Sequence, residues 1–379
     1  MNCWESICIP IIFMYRCAVH CSPCCFKSRT RIKEPFDVQL QLNTNRKGGY
    51  FTNYYASKTC TRETFYTYLS LRLRSRCPKS ELKFVQRLAK NMSTDGQVPA
   101  QFNSSWYDET PVYMKNNRKV IDANMFFIIM AWHCCEFDQD AVEKLYLTCQ
   151  RAFEWLKTYS CNDTIYEPVG VSWEDTRKHS GHLLLTNIIM IRTIRCMEML
   201  ACTFRDERQE RRFKHLYDQA LAKWVPEIYK SQETLPRILA VHWNLVPRDF
   251  IVSFNQELQC PYVPLRTAGP VRDDTTWTSW LYGRDDLHTE IIWPWVGFFW
   301  ICVLVKHSRR KIAQGWWTSY IEYHQLSTLH DIYAKDTYLP VRRAFLKAMP
   351  AHSLTLSMHM AAHQLLHGLP TARPRAIPV

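Results

Sequence analysis

Between residues 65 and 366, apolar side chains recur every three to four positions in one segment after another, and the segments come in pairs. This pairing restricts the fold more than any other feature. Residues 65–74 pair with 82–89, 124–137 with 141–158, and 183–204 with 212–229. Shorter runs follow at 235–244 and 248–258, then 290–305 and 310–326, with a last one at 354–366. Val142, Leu145, Tyr146, Cys149, Phe153 and Leu156 illustrate the spacing. No stretch alternates in the manner of a sustained strand. The chain has only 10 glycines, too few for the tight turns of a β-rich fold. Helical hairpins are therefore expected, and the loops between them carry Trp, Tyr, Asp or His. That arrangement suits an all-α toroid of hairpins with one functional mouth. A helical solenoid is the alternative, but no fixed-period repeat supports it.

The paired runs delimit one unit at 48–367, with an atypical extension at 1–47 and a tail at 368–379. With 47% hydrophobic and 22% charged residues, the chain can bury a large core. Its net charge of +13 is spread along the sequence, and no nucleic-acid module accompanies it, so no nucleic-acid partner is expected. The apolar run at residues 7–15 is too short to span a bilayer and lacks preceding basic residues, so no membrane partner is expected either. Cys17, His20, Cys21, Cys24 and Cys25 have no second Cys/His pair at a zinc-binding interval. No metal or cofactor is expected. Cys134, Cys149, Cys196, Cys202 and Cys302 fall within apolar helical runs, where a thiol acts as a small hydrophobe. Reduced cysteines and a cytoplasmic location are expected.

The chemistry-bearing stretches are loops leading into helices. Asp95-Gly-Gln-Val-Pro99 comes first, then Val120-Ile-Asp-Ala-Asn124 directly before a dense apolar run. Asp122 and Asn124 stand where N-terminal caps belong, and Thr61-Arg-Glu-Thr64 also has the look of a cap. Ser172-Trp-Glu-Asp175 and Gly181 to Asn187 follow, then His288-Thr-Glu-Ile-Ile-Trp-Pro-Trp295 and Asp331-Ile-Tyr333. In that order and at those intervals they resemble the six-hairpin glycosidases, the (α/α)6-barrel sugar hydrolases. The likeness is greatest to the amylo-α-1,6-glucosidase (debranching-type) and neutral-invertase branches.

The resemblance implies an inverting glycosidase acting on α-glucosidic oligosaccharides. Such a reaction needs one carboxyl to protonate the leaving oxygen and another to activate water. Asp122 matches the family's general acid. The family's base is a Glu in a Glu-x-Tyr motif, and here Asp331 takes that place, one methylene shorter. Glu290 is the other candidate base. Arg62 and Glu63 match an Arg-Asp pair that grips the sugar, again with one methylene of difference. Trp173 and Asp175 match a sugar-binding Trp-x-Asp loop. Trp106, Tyr107, His288, Trp293 and Tyr333 are the remaining expected substrate contacts. A homologue that binds sugar without cleaving it, and a sucrose-cleaving invertase relative, are the alternatives.

Overall fold

A computed structural model describes residues 40–368, apart from 42, 46, 52–57, 75–78, 105–108, 116–117, 162–163, 169–179, 259–290, 325–332, 335–339 and 341–351. Among these residues, helices form where the paired periodicities lie. The first four are α1 (Thr61–Leu73), α2 (Lys79–Lys90), α3 (Asp122–Cys135) and α4 (Gln139–Lys157). Then come α5 (Leu184–Thr203), α6 (Glu207–Lys230), α7 (Thr234–His242) and α8 (Asp249–Glu257). The last three are α9 (Pro294–Lys306), α10 (Arg310–His324) and α11 (Ser353–His367).

Helices joined by short turns pack antiparallel within each hairpin, and the inner, odd-numbered helices of an (α/α)6 barrel all run one way. They touch in turn: α1 on α3, α3 on α5, α5 on α7, α7 on α9, α9 on α11, and α11 back on α1. The even-numbered helices lie outside them, α4 against α3, α6 against α5 and α10 against α9. The expected (α/α)6 barrel is what forms.

The two layers explain the two kinds of sequence pattern. An inner helix has neighbours on all sides, so it is apolar all round. Every residue from Pro294 to Leu304 of α9 is buried, and so is nearly all of α3. An outer helix buries one stripe, which in α6 is Phe213, Ala220, Trp224 and Ile228. Rings meet between the inner helices: Phe65 stacks on Phe126 at 4.3 Å between centroids, and Tyr66 lies 5.0 Å from Trp295. Where α9 and α10 cross, a Cβ on Gly297 would stand 1.6 Å from the Tyr320 hydroxyl, so only glycine admits that approach. Cys134, Cys149, Cys196 and Cys302 are buried in the core. No described helix is long and apolar enough to cross a membrane.

Short antiparallel strands decorate the loops. β1 (Lys58–Cys60), β2 (Gln101–Ser104) and β3 (Glu109–Val112) form a sheet in that order, with Thr59 opposite Phe102. Three two-residue pairs accompany it. They are β4 (Met114–Lys115) with β5 (Arg118–Lys119), β6 (Ser160–Cys161) with β7 (Thr164–Ile165), and β8 (Ile291–Ile292) with β9 (Tyr333–Ala334). The expected helix from residue 290 therefore starts at Pro294, because the preceding backbone is committed to β9. Pro294 occupies the first helical turn, where its missing N–H leaves nothing unpaired. α6 starts five residues before the expected 212. Asp206 caps it by accepting from Gln209 N, and its charged first turn has no apolar rhythm to betray it.

Candidate functional site

Because the inner helices are parallel, their N-termini gather at one end of the barrel. Their partly positive amide ends favour carboxylates there, and Glu63, Asp122 and Glu167 lie at that end. Asp122 is the first residue of α3, and Arg62 is the second residue of α1. The two meet between these neighbouring helices, Arg62 Nε donating to Asp122 Oδ2 at 2.5 Å. Their side chains keep 13% and 12% of their exposure, so the pair is largely withdrawn from water yet still reachable. Burial disfavours the Arg62 charge, but Asp122 more than offsets this and holds the guanidinium above its ordinary value. Tyr66 lies beneath the pair, its phenol pushed up by burial, with Arg62 and Asp122 both acting on it.

Neither Asp122 nor Asn124 caps α3. Ile121 holds the capping position and no side chain bonds there, which corrects the cap expectation. Asn124 instead fastens the loop before the helix. Its Oδ1 accepts from Val98 N at 2.9 Å, and its Nδ2 donates to Gly96 O at 2.8 Å and Ala152 O at 3.1 Å. Gly96 has φ +99, and a Cβ there would press on Arg151 O at 2.8 Å. The Asp95–Pro99 loop is thus pinned between α3 and α4. Asp95 itself receives Lys119 Nζ at 2.9 Å and Trp155 Nε1 at 3.3 Å. Thr61 likewise does not cap α1: its hydroxyl donates to Pro99 O at 2.8 Å, tying α1 to that same loop.

Glu63 follows Arg62 at the same end. Its Oε2 is buried with no hydrogen-bond partner among the described residues. His352, just ahead of α11, is driven towards its neutral form by burial, with Glu63 pulling the other way.

Sequence reasoning missed one carboxyl. Glu167 lies beyond β7, 3% exposed, and receives the hydroxyl of Thr186 in the first turn of α5. Its backbone bridges Gly181, with N–H···O bonds of 2.8 and 2.9 Å. Asn187 steadies β7 from the side, accepting from Ile165 N at 2.9 Å. Burial pushes the Glu167 carboxyl up to about 7; Thr186 opposes this, the Asp122 charge adds to it, and Arg62 opposes it. Glu167 is thus within electrostatic reach of the Arg62–Asp122 pair. The sequence signal was a carboxylate between an apolar strand end and a proline, which is weak on its own.

Trp293 is half-buried ahead of α9 and packs on the core. The Ile292–Tyr333 register sets the backbone of Tyr333 beside it, so the two late motifs run side by side into the inner end of α9. Asp331, Glu290, His288, Trp106, Tyr107, Trp173 and Asp175 lie outside the described residues. Trp173 and Asp175 belong to the segment whose two ends are joined by the Glu167–Gly181 bridge. Among the described residues, no group of three or more His, Cys, Asp or Glu could hold a metal ion.

No family model matches the sequence, and no curated protein aligns with it significantly. Solved structures do share its fold. One is a rhamnosidase from Klebsiella oxytoca with rhamnose bound, at a TM-score of 0.62 and 12% identity over 89% of this chain. This chain spans only 63% of that protein. Another is a GH63 mannosylglycerate hydrolase from Thermus thermophilus in complex with glucose, at 0.59 and 9%, covering 89% of this chain and all of that one (100%). A third, a wild-type glycosidase, gives 0.57 and 11% over 90% of this chain and 98% of its own. At such identities the likeness establishes the fold alone: this chain is built on the (α/α)6 barrel that these glycosidases share.

Proposed function

We propose that the protein is a glycoside hydrolase that cleaves short α-glucosidic oligosaccharides with inversion. The observation that carries this reading is the Arg62–Asp122 pair at the mouth of the barrel, with the buried Glu167 carboxyl beside it. Structures of the same fold with rhamnose and glucose bound support a small sugar as substrate.

In the first reading Asp122 protonates the leaving oxygen, and Asp331 or Glu290 activates water from the other side. Arg62 and Glu63 hold sugar hydroxyls, and Glu63 Oε2 is a buried acceptor with capacity to spare. Trp293, with Trp106, Tyr107, Trp173, His288, Asp175 and Tyr333, would complete the binding surface.

One observation favours a second assignment. A general acid must keep its proton near neutral pH, and Glu167 titrates at about 7 while Asp122 is ion-paired with Arg62. Glu167 would then be the acid, and Asp122 the group that receives the proton of water.

Leaving-group chemistry separates these roles. A glycosyl fluoride needs little acid assistance, so the acid variant keeps its activity on fluoride while losing about 10²–10⁴-fold on the natural glycoside. The base variant loses both. Asp122→Asn, Glu167→Gln, Asp331→Asn and Glu290→Gln should be compared on both substrates, with the product anomer followed by NMR. Retention at the anomeric carbon would exclude the inverting mechanism. Sugar binding without turnover, unchanged in Asp122→Asn, would establish the non-catalytic homologue instead. Cleavage confined to sucrose would establish the invertase relative.

A further inference from the structure

Three histidines stand one helical turn apart on α11: His359, His363 and His367. At intervals of four they share one face of the helix. All three line up along Trp317 of α10, their ring centroids 5.2, 5.5 and 5.7 Å from the indole. The ladder runs outwards. His359 is buried against Phe298 at 5.0 Å, His363 is half-buried, and His367 is exposed.

The outer two rings approach most closely, with centroids 4.8 Å apart. Neither imidazole has a hydrogen-bond partner among the described residues. We infer that His363 and His367 form a chelating pair for one divalent late transition metal, with water in the remaining positions.

Four physical considerations support the pair. Two histidines at i and i+4 on a helix are a recurrent zinc-binding spacing, and imidazole suits zinc, copper and nickel. The Trp317 wall restricts both rings, so little rotamer freedom is lost on binding. His363 is half-buried and His367 exposed, so the pair opens to solvent on one side for entry of the ion and its water ligands. Both residues lie in the last two turns of α11, where the carbonyl end favours a cation. The Arg310 guanidinium, which donates to the carbonyl of Leu366, is a nearby positive charge that lowers the affinity for a metal without altering the placement of the two rings. A third ligand from His359 is not required, since its centroid lies 6.4 Å from that of His363.

The test uses the full chain with its accessible thiols, Cys161 and Cys202 among them, blocked by iodoacetamide, and Cu(II), whose binding quenches nearby indole fluorescence. The wild type should show one saturable quenching phase of about one equivalent, and Zn(II) or Ni(II) should compete for it. Exposed His367 can be replaced without disturbing the core, so His367→Ala should abolish that phase while leaving the melting temperature in the absence of metal unchanged. Trp317→Phe should remove the quenching while isothermal calorimetry still detects the metal. Unaltered quenching and stoichiometry in His367→Ala and in His363→Ala would overturn the site, whether or not the protein cleaves sugars.

Discussion

Glu167 is buried, with the Thr186 hydroxyl as its close partner among the described residues, and its protonation feeds directly into folding stability. It titrates at about 7 in the fold, against 4.5 for an unperturbed glutamate. The native state therefore binds this proton more tightly than the unfolded chain does. The resulting stabilisation is fully present below about 4.5 and is lost as pH rises through about 7. At 1.36 kcal/mol per pH unit the change is about 3 kcal/mol. Glu167→Gln cannot ionise, so its melting temperature should gain on that of the wild type as pH rises across this window. Parallel curves for the two proteins would show that Glu167 is not buried as described. Asp122 was legible in the sequence because its motif is local, a few residues leading straight into a dense apolar run. Glu167 was not, because what perturbs it is distant in sequence: Thr186 is nineteen residues on and Asp122 forty-five residues back. The cap reading of Asp122 and Asn124 failed for a related reason. Short-range preference for a cap was outweighed by the carbonyls and amides that the Asp95–Pro99 loop brings to Asn124.

At the level of elements, each helix could be read from its own periodicity, and the ones misplaced at their ends show the limit of that signal. α6 gains a turn because a charged first turn has no apolar rhythm, and α9 loses one because β8 takes its first residues. Two-residue strands such as β8 and β9 carry no periodicity and depend wholly on where the ring brings their loops. The crossing of α9 and α10 was equally hidden, since a single glycine in an apolar run says nothing of what it faces. Gly297→Ala would place a methyl against the Tyr320 hydroxyl, and such overpacking costs about 1–3 kcal/mol. Denaturant midpoints should fall accordingly. The double variant with Tyr320→Phe should recover only a small part of the loss, because the ring carbons Cζ and Cε2 would still stand 2.2 and 2.8 Å from the methyl. Equal stability of Gly297→Ala and wild type would mean that the two helices are further apart than described.

Across the whole molecule, the inner ring is completed by α11 resting on α1. The closure is held by Arg74 Nε donating to Gln364 Oε1 at 2.9 Å and by Ser353 Oγ donating to Phe51 O at 2.5 Å. A ring packed in this way has no first member. Packing energy alone then does not dictate which inner helix comes first in the chain, since each rests on two inner neighbours. A permuted gene that begins at Ser231, between α6 and α7, with a flexible linker leading from the end of α11 to the strand before α1, should reach the same toroid. Its near-ultraviolet circular dichroism should match that of the parent. Its refolding should be slowed or hastened only as far as the new order changes the sequence distance between helices that touch.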